Sequence, residues 1–272
     1  MLRLVRALPL VLLALAAIRA PPALAEEVYE GSSSCGWRQS HFDVVIVPPG
    51  GPYAFYGDSD VVDPTDPVIL APDTSVPWDG AHARAAAAAI DAWQAALHAR
   101  ADEHPGEAHL RQVTFRHTIL GPDVDPRVVE EADILVLFTP VQDAGGRAVV
   151  SCTSPTQRVV QDGDGIRLEL FVGTYIVMNQ WFVYSYTVAD TYNIVLHEFG
   201  HALGLRHIDR PVGDVMNSVY GHSIGNVHNP LHCLSNLDVA QAANGFRWLD
   251  GVAPQGPPPP TLMPASRYER PC

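Results

Sequence analysis

Residues 197 to 207 read HEFGHALGLRH, a run whose residue types and spacing suit metal chemistry. On a helix, His197 and His201 stand one turn apart and project from the same face. Two imidazoles at that spacing can reach a single ion. Glu198 follows the first histidine and points elsewhere around the helix, so its carboxylate can touch a water held by the ion without becoming a ligand. Gly204 tolerates the left-handed backbone that ends a helix, and a sharp turn there brings His207 round as a third nitrogen donor. Three nitrogens leave the fourth tetrahedral position open to water, the arrangement of a catalytic zinc site. Zinc lowers the pKa of such a water to about 7. Glu198 can then take a proton as the water attacks a peptide carbonyl, and deliver it to the leaving amine. The bland alternative is a set of polar residues on a solvated helix end. Five fixed positions, H-E-x-x-H-x-x-G-x-x-H, on one predicted helix favour the metal reading.

The helix carrying this run begins near Thr187, where Thr187-x-x-Asp190 forms a capping box, and stops at Gly204. Upstream, His41 to Val47 is rich in β-branched residues and reads as a strand ended by Pro48-Pro49-Gly50-Gly51. Residues 52 to 80 carry proline, glycine and aspartate and read as loop. An alanine-rich helix follows from Ala81 to about Asp102, with Asp79 as its N-cap and His104-Pro105-Gly106 at its end. Ile90, Trp93 and Leu97 share one face and should pack on a sheet. Val113–Thr118, Asp133–Phe138 and Ala148–Thr153 are strand candidates. After a tight turn at Asp162–Gly165, Ile166 to Val177 reads as the longest strand. A third helix starts at Ser235, with the box Ser235-x-x-Asp238, and runs to about Ala243. This order predicts one α+β domain: a twisted mixed β-sheet with a long first helix, an active-site helix and a C-terminal helix.

The chain has 272 residues, 47% hydrophobic and 17% charged, enough for one well-packed domain. Residues 1–25 read as a signal peptide: Arg3 and Arg6 precede the apolar run Ala7 to Ile18, and Ala23-Leu24-Ala25 is a small-x-small cleavage site. An uncleaved anchor is the lesser reading, because Pro9, Arg19, Pro21 and Pro22 interrupt the run. Without the leader, 14 basic residues face 30 acidic ones, and the net charge moves from −13 to −16. That balance argues against nucleic acid or an anionic membrane as partner and suits a solvated surface. The expected division is 1–25 leader, 26–41 short N-terminal segment, 42–250 catalytic domain and 251–272 proline-rich tail, in a chain that is secreted or periplasmic, monomeric and without a membrane anchor. Cys35, Cys152, Cys233 and Cys272 are even in number and allow two disulfides in three pairings.

The eleven-residue string is similar to the extended zinc motif of the metzincin metallopeptidases, and the chain most resembles their matrixin family. HEFGHALGL, the helix centred on Trp93, the strand entry Ala132-Asp133-Ile134 and Leu234-Ser235-Asn236-Leu237-Asp238-Val239 carry the resemblance, over roughly residues 42 to 250. It implies a metzincin-like zincin fold, zinc-dependent endopeptidase activity on protein or peptide substrates, and a methionine turn under the metal, for which Met216 is the candidate. It also implies substrate lying along an edge strand, here Ala148 to Thr153. The wall of the main specificity pocket would come from Ser218, Val219 and Tyr220, although Tyr220 serves equally well as core packing.

Departures from the family pattern set expectations too. Ile208 stands where matrixins usually carry serine, and Asp209 follows. Residues 140 to 180 hold no histidine, so no second zinc is expected. Asp162 and Asp164 are candidate calcium ligands, with a surface turn the preferred reading. Cys35-Gly36 resembles the latency cysteine of matrixin precursors, but its surroundings match poorly and a structural disulfide is preferred. His82, His98, His104, His109 and His117 read as ordinary surface or half-buried histidines. His222, His228 and His232 follow the methionine turn and are candidates for the cleft border, with no ligand role assigned. The competing functional class is a catalytically inactive zinc-binding adhesion or interaction module of the same fold; the presence of Glu198 speaks against it.

Overall fold

The computed structural model describes residues 37–48, 53–56, 69–70, 80–121, 123–139, 146–149, 156–162, 165–172, 174–179, 187–207, 215–216 and 232–251. The leader-like residues 1–25 and the proline-rich tail beyond Gly251 lie outside them. Nine strands and three α-helices are described. The strands are β1 (His41–Val47), β2 (Tyr53–Tyr56), β3 (Ile69–Leu70), β4 (Thr114–Ile119), β5 (Ile134–Thr139), β6 (Gly146–Val149), β7 (Thr156–Asp162), β8 (Gly165–Val172) and β9 (Thr174–Asn179). The helices are α1 (Gly80–Glu103), α2 (Val188–Ala202) and α3 (Asn236–Gly245). No helix among the described residues is long and apolar enough to cross a membrane.

The main sheet has the order β4-β1-β5-β9-β6. Its first four strands run parallel, and β6 closes the edge antiparallel to β9. The mixed sheet and three helices anticipated from the sequence are thus present. The central strands explain their own composition. Phe42, Val44 and Ile46 of β1, with Ile134, Val136 and Phe138 of β5, join the core under the helices. Their alternates Val45, Val47, Leu135 and Leu137 are no more than 3% exposed, yet stand outside that core cluster. The two strands are therefore buried on both faces, which is why they read as continuous apolar runs rather than alternating ones.

Two expectations about strands require correction. Ile166 to Val177 is not one strand: β8 ends at Val172, β9 begins at Thr174, and the two lie in different sheets. The registers give the reason. Val149 pairs with Tyr175 and Thr156 pairs with Val172, so six residues of the outer arm oppose two of the inner arm. The β7–β8 pair lies in a second sheet of order β3-β2-β8-β7. Residues 52–80, read as loop, supply β2 and β3 to it. Strand β7 was not anticipated, and the edge strand begins at Gly146 rather than Ala148; residues 150–153 lie outside the described residues.

Helix α1 packs its Ile90, Trp93 and Leu97 face, all fully buried, into the core. Trp93 also donates its indole N–H to the Leu196 carbonyl of α2 at 2.9 Å. Helix α2 starts with the capping box read from the sequence. The Asp190 amide donates to Thr187 Oγ1 at 3.1 Å, and the Thr187 amide donates to Asp190 Oδ2 at 2.9 Å. Ser235 and Asp238 repeat the device on α3. A Thr187→Ala substitution removes one of two reciprocal bonds at the start of the helix that bears His197, and should lower stability by about 1 kcal/mol in urea unfolding.

Candidate active site

The last turn of α2 and the chain that leaves it assemble the site. Leu203 ends the helix, and Gly204 takes φ 98°, the left-handed conformation expected of it. The Gly204 amide donates to the His201 carbonyl at 2.7 Å, and the Leu205 amide donates to the Gly200 carbonyl at 2.9 Å. These two bonds define a Schellman turn, which reverses the chain within one residue of glycine. The reversal brings His207 against the two helix histidines.

The three Nε2 atoms form a nearly equilateral triangle. His197 and His201 are 3.1 Å apart, His197 and His207 3.1 Å, and His201 and His207 3.0 Å. These approaches are not hydrogen bonds between the helix histidines, because their protons are committed elsewhere. His197 Nδ1–H donates to the Val215 carbonyl at 2.5 Å, and His201 Nδ1–H donates to the Leu205 carbonyl at 2.8 Å. A neutral imidazole bonded this way presents a bare lone pair at Nε2. Burial pushes the His197 imidazolium down to about pKa 3, with the nearby charge of His201 adding to it; burial also lowers His201. Two lone pairs converging at 3.1 Å without a proton between them repel, and a cation on the axis of the triangle reverses the sign of the interaction. Nitrogen ligands of a tetrahedral zinc lie about 3.3 Å from one another, close to this spacing. The donor set therefore fits a divalent metal. Among the described residues it is the group of three or more metal-type side chains that converges.

Glu198 sits beside His197 on α2 and is buried, 8% exposed. Val215 and Met216 form a fully buried turn beneath the site. Gly200, inside α2, had no role assigned from the sequence. A β-carbon there would stand 2.5 Å from Met216 Sδ and 3.1 Å from Trp93 Cζ2. Glycine in a helix interior costs about 1 kcal/mol relative to alanine, so its presence was the available signal for a close approach. The Met216 turn thus rises against α2 through Gly200, and its neighbour Val215 supplies the carbonyl that orients His197.

Ser218, Val219 and Tyr220, together with Ile208, Asp209, His222, His228, Asp164, Cys35, Cys152 and Cys272, lie outside the described residues. Cys233, just ahead of α3, is disulfide-bonded. His232 offers its backbone amide to Asn193 Oδ1 at 2.8 Å. His82 and His109 are buried, not at the surface or half-buried as expected. His82 Nδ1 meets Thr191 Oγ1 at 2.6 Å, and His109 Nδ1 lies 2.5 Å from Asp250 Oδ2. They tie α1 to α2 and the Pro105–Gln112 3-10 turn to the C-terminal Arg247–Asp250 turn.

A Gly200→Ala substitution tests the support under His197. Overpacking costs about 1–3 kcal/mol, and the gain in helix propensity offsets about 1 kcal/mol. Stability should therefore fall by no more than about 2 kcal/mol, while zinc affinity in chelator competition should fall about tenfold or more through the displaced Val215 carbonyl. Unchanged affinity would show that Met216 does not hold the turn against His197.

No curated protein matches this chain. A family model described as Matrixin matches residues 77–241, more than half of the sequence, and spans α1, the main-sheet strands after it, α2 and the start of α3. With the family model and the histidine triangle in agreement, the chain belongs to the matrixin family of zinc metallopeptidases.

Proposed function

We propose that this protein is an exported zinc endopeptidase in which His197, His201 and His207 hold one zinc ion and Glu198 is the catalytic base. The observation that carries the reading is the convergence of three Nε2 atoms within 3.1 Å of one another, beside a buried carboxylate. Zinc, when bound, supplies Lewis acidity: it acidifies a water and polarises the carbonyl to be cleaved.

The remaining work belongs to the chain's own residues. Glu198 accepts a proton as water oxygen bonds to the peptide carbon, and returns it to the amide nitrogen as the C–N bond breaks. Its burial keeps bulk water away from that proton. Helix α2 holds this carboxylate and two of the imidazoles on one rigid element, so their relative placement needs no induced movement. Strand β6 is the edge of the main sheet and packs near α2. An extended substrate would add to it by main-chain hydrogen bonds, with Met216 as the floor of the site and Ser218, Val219 and Tyr220 as the pocket wall. Action outside the cytoplasm is supported by the leader-like residues 1–25 and by the disulfide at Cys233, which suits an oxidising compartment.

A zinc-binding module without turnover would share the histidines but not need the carboxylate. Cleavage of denatured protein therefore separates the readings. Glu198→Gln should retain one zinc per chain and lose at least about a hundredfold in kcat/KM, since general-base catalysis contributes roughly that much or more. Parent protein that binds zinc and leaves every denatured substrate intact would support the binding module instead.

A further inference from the structure

We propose that Trp37, on the segment ahead of β1, is a positioning residue for the metal site, acting by fixing the C-terminal end of α2. The proposal rests on the reading of the three histidines as metal ligands, and concerns what holds them in place.

The end of a helix leaves its last carbonyls without intrahelical partners, and their placement sets where the following chain goes. At the end of α2 the Phe199 carbonyl accepts from the Leu203 amide at 2.9 Å, that of Gly200 from Leu205 at 2.9 Å, and that of His201 from Gly204 at 2.7 Å. The carbonyl of Ala202 accepts the indole N–H of Trp37 at 2.9 Å, from 165 residues away in sequence. The turn thus closes on itself through three bonds, while Trp37 ties it to the rest of the molecule. Ala202 is fully buried and follows His201 directly. Three residues past Ala202, the Leu205 carbonyl holds His201 Nδ1 at 2.8 Å, and His207 comes two residues later.

Trp37 is itself held rigidly. It is 3% exposed, and its ring meets Phe42 of β1 edge-on, with centroids 4.9 Å apart. The route therefore runs from β1, an inner strand of the sheet, through two aromatic rings to the helix end, and from there to two of the three ligands. Trp93 makes the informative contrast. Its indole bonds the Leu196 carbonyl, which lies within the helix, one turn before Gly200 and away from the turn that carries His207. Trp93 seats the helix on α1, whereas Trp37 fixes the point where the helix hands over to the third ligand. A second-sphere bond of this kind typically carries tenfold to a hundredfold in metal affinity.

The test uses the full chain with Trp37→Phe, which keeps an aromatic ring and removes the donor, and Trp248→Phe as a control, because the Trp248 indole N–H makes no hydrogen bond among the described residues. Zinc affinity is read by competition with a chromophoric chelator. Trp37→Phe should weaken zinc about tenfold or more, and Trp248→Phe should leave it unchanged. Hydrogen exchange of the metal-free proteins gives a second readout that needs no metal. Exchange should accelerate in residues 201–207 more than in 188–195. If Trp37→Phe does not fold, Trp37→Tyr carries the same two measurements. A folded variant with parental zinc affinity would overturn the proposal, as would equal losses in both tryptophan variants or uniform acceleration of exchange across α2. Failure of the parent to bind zinc would instead refute the metal-site reading, and the exchange comparison would still decide the role of Trp37.

Discussion

Three imidazoles stand with their Nε2 atoms 3.0–3.1 Å apart, and those of His197 and His201 face each other as bare lone pairs, a repulsive arrangement that the surrounding fold imposes. Each helix histidine is fixed from behind by a backbone carbonyl, Val215 for His197 and Leu205 for His201. Those carbonyls come from segments that follow the helix, not from the helix itself. The site therefore depends less on the spacing of two histidines along α2 than on where the chain goes after Ala202. Burial enforces the chemistry by keeping His197 and His201 uncharged, since an imidazolium there would lose hydration and face its neighbours' charge. A divalent ion turns the same crowding into attraction.

The sheet supplies the rigid reference for this assembly. Strands β1 and β5 are covered on both faces, so the surface on which α1 and α2 rest has little freedom to move. Helix α2 is pinned along its length by its capping box at Thr187, by the Trp93 indole at Leu196 and by the Schellman turn at Gly204. Met216 and Gly200 then set the depth of the turn below the site. Strand β6 stands at the sheet edge and packs near α2.

Much of this was legible in the sequence because it depends on short-range rules. The spacing of His197 and His201, the glycine at 204 and the two boxes at Thr187 and Ser235 each encode local geometry, and each appears where that geometry requires it. The apolar run of β1 was readable with its bounds, His41 to Val47, because strand-forming residues fill it and prolines follow. What was not legible is long-range. The division of 166–177 depends on how many residues lie on the opposite arm of a ribbon, which no local pattern records. Strand β2, four residues in a proline-rich stretch, exists because β8 offers a partner. The burial of His82 and His109 follows from partners at Thr191 and Asp250, each more than a hundred residues away. The role of Trp37 was likewise invisible, since an indole declares no partner in its own neighbourhood.

X-ray absorption at the zinc edge of the loaded full-length protein measures the first coordination sphere directly. The account predicts one zinc per chain with three imidazole nitrogens and one oxygen at about 2.0–2.1 Å. A sulfur scatterer in that sphere, or fewer than three imidazoles, would contradict it.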